Sequence, residues 1–582
     1  MIEGAKHHVC ASAGGLVVLK GSSCSVHLRN VSFDMCTLVV LDGARARVDD
    51  CLFLNGSTPA ESTGVCVYSS GSSTHVSVQR CKLSGGIHGM VACAATLQAT
   101  DVSCTGVDVC AFEGAGANSK LVLDRCSVSD MGQAYANVER TPNEEGKTEF
   151  LCTGVLVHNQ CVGELSEVSV STAEVGISAD RGGVLYASHC TMDGSAGCAA
   201  NVSKRSKAKF FECTMTGSIR FHGLHVDGEE TAVEALDCKF NANKQSGAGV
   251  YGGASLKLVS CQSVNNKTSG YWAQGGGKMT LLDCTSTGDS VGCGGIDHGS
   301  VVTAERLLVG KSGHSGLLLD QNAHAIITDS VVRDCVQACV MVTAGGEVEL
   351  ATTRLERARK GHGIEVTGQN SKVIGERCVF RGNTEAGAAA FKGGLMELVS
   401  CESERNEVAG FWAQNGGVMK LTNCVSDKDE VGVGSRGEGS STTCQNVSVG
   451  GSSLGFLVAA GGSMAVEQSS VTRSTRSGVS CSDLGSRFSM VGGRVRDCKG
   501  SGVCAQDGSR VHLNNVQASG NRLCSFICIG HVTRIILAGC MSFDDTPYMM
   551  SDVAKLTCRG SWPKDTTDEA SVFKKFKILD IT

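Results

Sequence analysis

Short apolar alternations recur along almost the whole chain. Each begins Gly-ψ-x-ψ-x, where ψ is apolar, passes a Gly-rich turn, continues ψ-x-ψ-x-x-Cys-x-ψ and ends in a polar turn. Gly64-Val-Cys-Val-Tyr68, Gly154-Val-Leu-Val-His158, Gly223-Leu-His-Val-Asp227, Gly363-Ile-Glu-Val-Thr367 and Gly502-Val-Cys-Ala-Gln506 open such units. Alternation over four or five residues marks a half-buried strand, and no 3.6-residue stripe competes with it. A second strand follows, as at Val233/Ala235 and Leu256/Leu258. A third, shorter one comes after the Cys, with Phe240 and Val379 expected to point inward. Three strands in a unit of about 23 residues predict an all-β fold, a single-stranded parallel β-helix in which each coil buries its apolar face on the next. Parallel crossovers make it right-handed.

A longer period overlies the short one. His222-Gly-Leu-His-Val-Asp227 matches His362-Gly-Ile-Glu-Val-Thr367, and Cys238, Cys261 and Cys284 match Cys378, Cys401 and Cys424, all at one constant offset of six coils. The β-helix is therefore expected over 1–540, with copies at about 176–315 and 316–455 and a partial one at 456–540. A charged insertion loop is expected at 131–151. Residues 541–582, with the amphipathic run 570–579, are expected to cap the open strand edge.

Composition supports continuous ladders: Gly is 75 of 582 residues and Pro only 4. The net charge of −6, with signs interspersed, recommends neither nucleic acid nor membrane as partner, and no apolar run is long enough to span a bilayer. The 32 cysteines include no Cys-x-x-Cys pair. They recur at one repeat position (81, 104, 126; 190, 213, 238, 261, 284; 378, 401, 424), which predicts a column of small buried thiols and no metal site. The first residues lack a signal-peptide pattern. The chain is thus expected to be intracellular, cytoplasmic or cytoskeleton-associated, unless it lacks its native N-terminus.

The repeat, extended as …Cys-x-ψ-x-x-Asn, resembles the parallel β-helix repeats of the pectate-lyase-like superfamily over roughly residues 10–540. That resemblance implies the fold. The superfamily holds polysaccharide lyases, hydrolases and epimerases beside eukaryotic intracellular members without known sugar chemistry, and the chain is most similar to the latter. In the enzymes an Asn often occupies the turn position that Cys holds here, and the first-strand face carries the groove.

Gly361-His362-Gly363 and Ile296-Asp297-His298 look like enzyme motifs, but their accompanying carboxylates and Arg are missing, so no residue is assigned a catalytic role and no cofactor is expected. The outward positions of the first strand carry the candidate binding residues: His225, Asp227, Tyr251, Trp272 and Gln274, and in the next copy Phe391, Trp412 and Gln414. Aromatics exposed on a rigid sheet mark a protein interface or a sugar platform. The leading expectation is a non-catalytic scaffold that binds protein. The alternative is a carbohydrate-active enzyme working on the first-strand face.

Overall fold

In the computed structural model, described for residues 2–54, 64–131, 152–551 and 553–559, the fold is an all-strand parallel β-solenoid of about 22 turns spaced ~23 residues apart, with no helix among the described residues. It divides into two compact units, Met1–Gly294 with Gly299–Val302 and Gly295–His298 with Thr303–Thr582, called here the N-terminal and C-terminal units. The expected insertion at 131–151 lies, apart from Met131, outside the described residues, as do 560–582. From 541 to 559 the stack continues: Met541–Ser542, Tyr548–Met550 and Lys555–Arg559 pair in parallel with the coil before them.

Within each unit the strands pair with their equivalents one coil on. In the first sheet of the N-terminal unit, Phe112, Val155, Ile177, Ala200, Leu224, Ala248 and Tyr271 form one inward column, fully buried. Tyr271 is tolerated there because its phenol donates to the Cys261 and Thr285 carbonyls at 3.1 and 2.8 Å. Inward and outward positions alternate, so the columns between these face outward.

The second and third sheets meet at a turn whose first residue takes a left-handed backbone: Glu212, Asp237, Ser260 and Asp283 have φ between 49° and 54°. The next residue is the Cys of the repeat. Cys213, Cys238, Cys261 and Cys284 stack on successive coils, all buried and free. Their sulfurs serve the backbone: the Cys213 amide donates to Cys238 Sγ at 3.4 Å, and the Cys261 thiol donates to the Ala235 and Val259 carbonyls at 3.5 and 3.4 Å. Burial pushes the thiols of Cys198 and Cys293 up to about 12, away from the reactive thiolate.

Two register expectations need correction. Cys104 pairs with Leu83 and Val128 inside the third sheet, so Val102 fills the cysteine column between Cys81 and Cys126. Val379 faces outward, and its neighbour Phe380, two residues after Cys378, is the buried one. Both errors arise because a three-residue strand has too little alternation to fix its own phase.

An amide ladder runs beside the thiols. The backbone and side-chain N–H groups of Asn243 donate to Asn266 Oδ1, both at 2.9 Å. Those of Asn266 donate to Asp289 Oδ1 at 2.7 and 2.8 Å. Ser286 holds the second carboxylate oxygen at 2.6 Å. The C-terminal unit repeats the device with Asn383, Asn406, Asp429 and Ser426. The Cys and Asn columns thus coexist, and Asn does not compete for the Cys position. Each ladder ends on Asp, which accepts but offers no proton onward.

Burial raises the pKa of Asp289 despite the hydrogen bonds from Ser286 and Asn266. A carboxyl raised in the folded state binds its proton more tightly than in the unfolded chain, so this residue's contribution to stability is greatest at low pH and is lost as pH rises from the ordinary 3.8 through the folded value. Asp289→Asn keeps both accepted bonds and can donate to Ser286. It is expected to raise the melting temperature at pH 7, with the gain shrinking toward zero as pH falls to about 4 in parallel thermal scans.

Candidate functional site

The outward face of the first sheet of the N-terminal unit bears a cleft of about 1010 Å³. Two outward columns line it. One runs Leu156, Ser178, Asn201 and His225, and continues past the lining to Gly249 and Trp272; the other runs His158, Asp180, Ser203, Asp227, Tyr251, Gln274. Arg181, Lys204 and Arg205, on the turn that leads to the second sheet, add cationic groups along one edge.

Gly249 decides the geometry at the centre. A Cβ there would come within 2.7 Å of the Tyr251 ring, so only Gly lets Tyr251 lie down across the sheet. Its ring packs 4.8 Å from His225 and 5.2 Å from His222, and the two imidazoles stack at 5.3 Å and 11°. The amide of Ser246 donates to His222 Nδ1 at 3.2 Å. That nitrogen is therefore an acceptor, the imidazole is neutral, and the proton sits on Nε2, which donates to Tyr251 Oη at 3.0 Å. The Tyr251 hydroxyl also meets the Ser246 side chain. Burial, with His225 adding to it, holds His222 down at about 3. Burial also lowers His225, against the pull of Asp227, and raises Tyr251. The three groups are neutral at physiological pH, and Tyr251 is a donor there, not a base. His225 Nδ1 is enclosed without a hydrogen-bond partner among the described residues.

Asp180 and Asp227 stand two coils apart in one column, on the order of 9.6 Å along the stack, with Ser203 between them. Ser203 Oγ donates to Asp180 at 3.1 Å and Lys204 Nζ at 3.4 Å, and Arg181 lies 3.6 Å away. The pair brackets the cleft, and Asp180 is committed to its neighbours.

Further along the same face, a second group was not anticipated. The Glu113 carboxylate lies between His88 Nδ1 and His158 Nε2, each at 2.9 Å. Burial would raise its pKa, but the bonds to His158 and His88 outweigh it and hold Glu113 at about 2. His158 belongs to the cleft lining.

The candidate residues of the C-terminal unit are arranged differently. His362 repeats the tautomer of His222: its Nδ1 accepts from the Ala386 amide at 3.1 Å and its Nε2 faces Glu385 at 3.0 Å. Phe391, 5.4 Å from His362, takes the place of Tyr251 and offers no hydroxyl. Trp412 lies across Gly434, where a Cβ would come within 2.1 Å of its ring. It is 7% exposed, packed with Ala386, Ala389, Ala409 and Val431 and flanked by Phe391, Leu454 and Leu457. Its indole N–H donates to Gln414 Oε1 at 2.9 Å, and the same bond joins Trp272 to Gln274 at 3.4 Å. Each glutamine thus fixes its tryptophan. Trp272 remains half-buried beside Gln274, which lines the cleft.

Sequence reasoning named His225, Asp227, Tyr251, Trp272 and Gln274 on this face, and the structure brings His225, Asp227, Tyr251 and Gln274 together around one cleft. It missed His222 as the partner of Tyr251, the Arg181/Lys204/Arg205 edge and the Glu113 group. The signal for His222 was present in the repeat: the residue before the strand-opening Gly stacks coil on coil with Ser246 and faces outward.

Two measurements follow from this geometry. The His222 ring is expected to stay neutral, protonated on Nε2, from pH 8 down to about 4 in ring-carbon and nitrogen NMR. Because its pKa is lowered from 6.5, the stability it contributes is full above that value and is lost as pH falls toward about 3. Trp272→Ala is expected to leave the melting temperature nearly unchanged, whereas Trp412→Ala removes a covered ring and costs roughly 3 kcal/mol in urea titration.

Residues 175–309 and 315–449 match the family model described as the right handed β-helix region. Among solved structures, the chain is similar to a periplasmic alginate epimerase at 11% identity, covering 67% of this chain and 78% of that one with a TM-score of 0.27. It is also similar to the catalytic unit of a GH87 α-1,3-glucanase from Streptomyces thermodiastaticus strain HF3-3 at 13% identity, covering 70% of this chain and 63% of that one with a TM-score of 0.15. A third is the receptor binding domain of a siphovirus 9NA tailspike, at 9% identity, covering 91% of this chain and 74% of that one with a TM-score of 0.17. No curated protein matches the sequence. The family model, matched once in each of the two full copies of the longer repeat, identifies these segments as right-handed β-helix repeats.

Proposed function

We propose that the first-sheet cleft of the N-terminal unit binds a saccharide. The observation that carries this reading is the contrast between the two copies of the repeat. Ser178, Asn201, Lys204, His225, Asp227 and Tyr251 become Leu318, Met341, Ala344, Glu365, Thr367 and Phe391 at the equivalent positions of the second copy. Both sets are built on the same coil, so the coil itself does not require the polar set. Neutral imidazole and phenol groups, a half-buried indole and alternating hydroxyl, amide and carboxylate side chains suit a polyhydroxylated ring, which needs donors, acceptors and an apolar face together. Lys204 and Arg205 already pair with Asp180 and Glu230, so the edge suits a neutral sugar as well as a uronic acid.

Binding is a better reading than turnover. Tyr251 is too weak an acid to serve as a base at neutral pH, and Asp180 is tied to Ser203 and Lys204. Calorimetry with neutral and uronate oligosaccharides tests the reading. Trp272→Ala and His225→Ala are expected to weaken binding at least tenfold with the fold intact by circular dichroism. Unchanged affinity in both variants, or no binding by the wild type, overturns it. Release of shortened or unsaturated products in the same mixtures would move the reading from recognition to catalysis.

A second reading, a scaffold that contacts protein, is favoured by the C-terminal unit, where Ala389, Phe391, Trp412 and Leu457 make the first-sheet face apolar.

A further inference from the structure

The second sheet of the N-terminal unit carries a separate trough of about 430 Å³ on its outward face. Register places Lys207, Ala232, Ser255 and Lys278 in one outward column on four successive coils, and Lys209, Glu234, Lys257 and Thr280 in the next. Ala232 and Ser255 are short and leave an open floor. Lys207 and Lys278 stand at its ends, three coils or on the order of 14 Å apart. Along one side Glu234 holds Lys209 at 3.1 Å and Lys257 at 2.9 Å, which fixes a wall. Among the described residues no carboxylate pairs with Lys207 or Lys278. Tyr186, 46% exposed, continues the Lys209 column one coil earlier.

Lysines on a sheet face are ordinarily solvated and need no ligand. Here the repeat supplies its own control. In the C-terminal unit the corresponding columns read Glu347, Lys372, Leu395, Val418 and Glu349, Ile374, Glu397, Lys420. Three of the four lysines are replaced by Glu and the fourth by Val, while Lys372 and Leu395 stand where the floor is open in the first copy. Tyr186 is matched by Ile326. Solubility and the coil geometry are served equally well by either set. The cationic charge and the open floor are therefore properties of this trough and not of the fold.

We propose that the trough binds a linear acidic oligosaccharide, lying along the stack with its anionic groups at Lys207 and Lys278. Four ammonium groups against one carboxylate select an anion. The spacing of the end lysines requires a ligand with charges separated along its length. The hydroxyls of Ser255 and Thr280 between them and the ring of Tyr186 beside them match the neutral, ring-bearing parts of a sugar chain. A double-stranded nucleic acid is far wider than this floor, and an extended acidic peptide would gain its backbone bonds from a sheet edge, which this face does not present. The site is on a different sheet from the cleft assigned above and does not depend on that assignment.

The test uses the full chain and an oligogalacturonate hexamer in calorimetry at low salt, with maltohexaose and poly-glutamate as controls. Ser255→Leu fills the floor with the residue found at Leu395 and keeps every lysine, and Lys207→Gln/Lys278→Gln removes the end charges and keeps the floor. Each is expected to abolish one binding step or weaken it at least tenfold, with unchanged melting temperature, while Trp272→Ala leaves that step in place. Loss in Trp272→Ala alone bears on the first-sheet cleft and not on the trough. The proposal is overturned if the hexamer binds both trough variants as it binds wild type. It is also overturned if only the lysine variant weakens, because the floor then plays no part, or if poly-glutamate binds as tightly as the hexamer.

Discussion

In-register parallel pairing governs everything else in this molecule. Because strands within each unit bond to their equivalents one coil on, a residue meets its own counterpart about 4.8 Å away, and a side chain persists in a column only if it tolerates a copy of itself. Val, Leu and Phe stack by shape. Cys does so as a small apolar group whose thiol donates to a carbonyl of the coil below. Asn stacks because an amide carries a donor and an acceptor, so Asn243 donates to Asn266 and Asn266 donates onward to Asp289. Asp does not repeat in the interior: as a pure acceptor it closes the amide run at Asp289 and again at Asp429, where its raised pKa records the cost of the buried charge. Outside, like charges in adjacent coils repel, and the sequence Lys209, Glu234, Lys257 alternates sign for that reason.

The same rule frees the outward columns to diverge. Nothing in the ladder fixes an outward side chain beyond compatibility with its neighbours. Two copies of one coil template have accordingly become a polar cleft around His222, His225 and Tyr251 in one unit and an apolar patch around Trp412 in the other. Glycine mediates both outcomes. Gly249 lets Tyr251 reach the imidazoles, and Gly434 lets Trp412 fold flat against its sheet.

Much of this was legible in the sequence, because a repeat declares its own register. The fold, the buried cysteine column from Cys190 to Cys284 and the outward positions of His225, Asp227, Tyr251 and Trp272 follow from alternation and spacing. What alternation leaves open is phase over three residues, which is why Phe380 and not Val379 is buried and why Cys104 sits in the strand instead of the turn. It also leaves open how far an outward ring leans. Trp272 and Trp412 occupy equivalent positions in identical Trp-Ala-Gln segments, yet Trp412 is covered because Ala389, Val431 and Leu457 surround it. Covering is a property of the coils on either side, and a reading confined to one unit does not see it.

A surface built this way constrains its ligands in turn. Side chains are offered at a fixed interval along the stack, and the backbone cannot close around a guest. Affinity has to come from several modest contacts in a line, with the geometry paid for in advance by the ladder. A linear chain of similar units, itself a repeat, matches such a row better than a compact molecule, which would touch one coil and leave the rest solvated. The paired features of the N-terminal unit fit that expectation. Asp180 and Asp227 are separated by two coils in the cleft, and Lys207 and Lys278 by three in the trough. Both distances are set by the coil spacing, and neither would survive a change of register by a single residue, which would turn these side chains into the core.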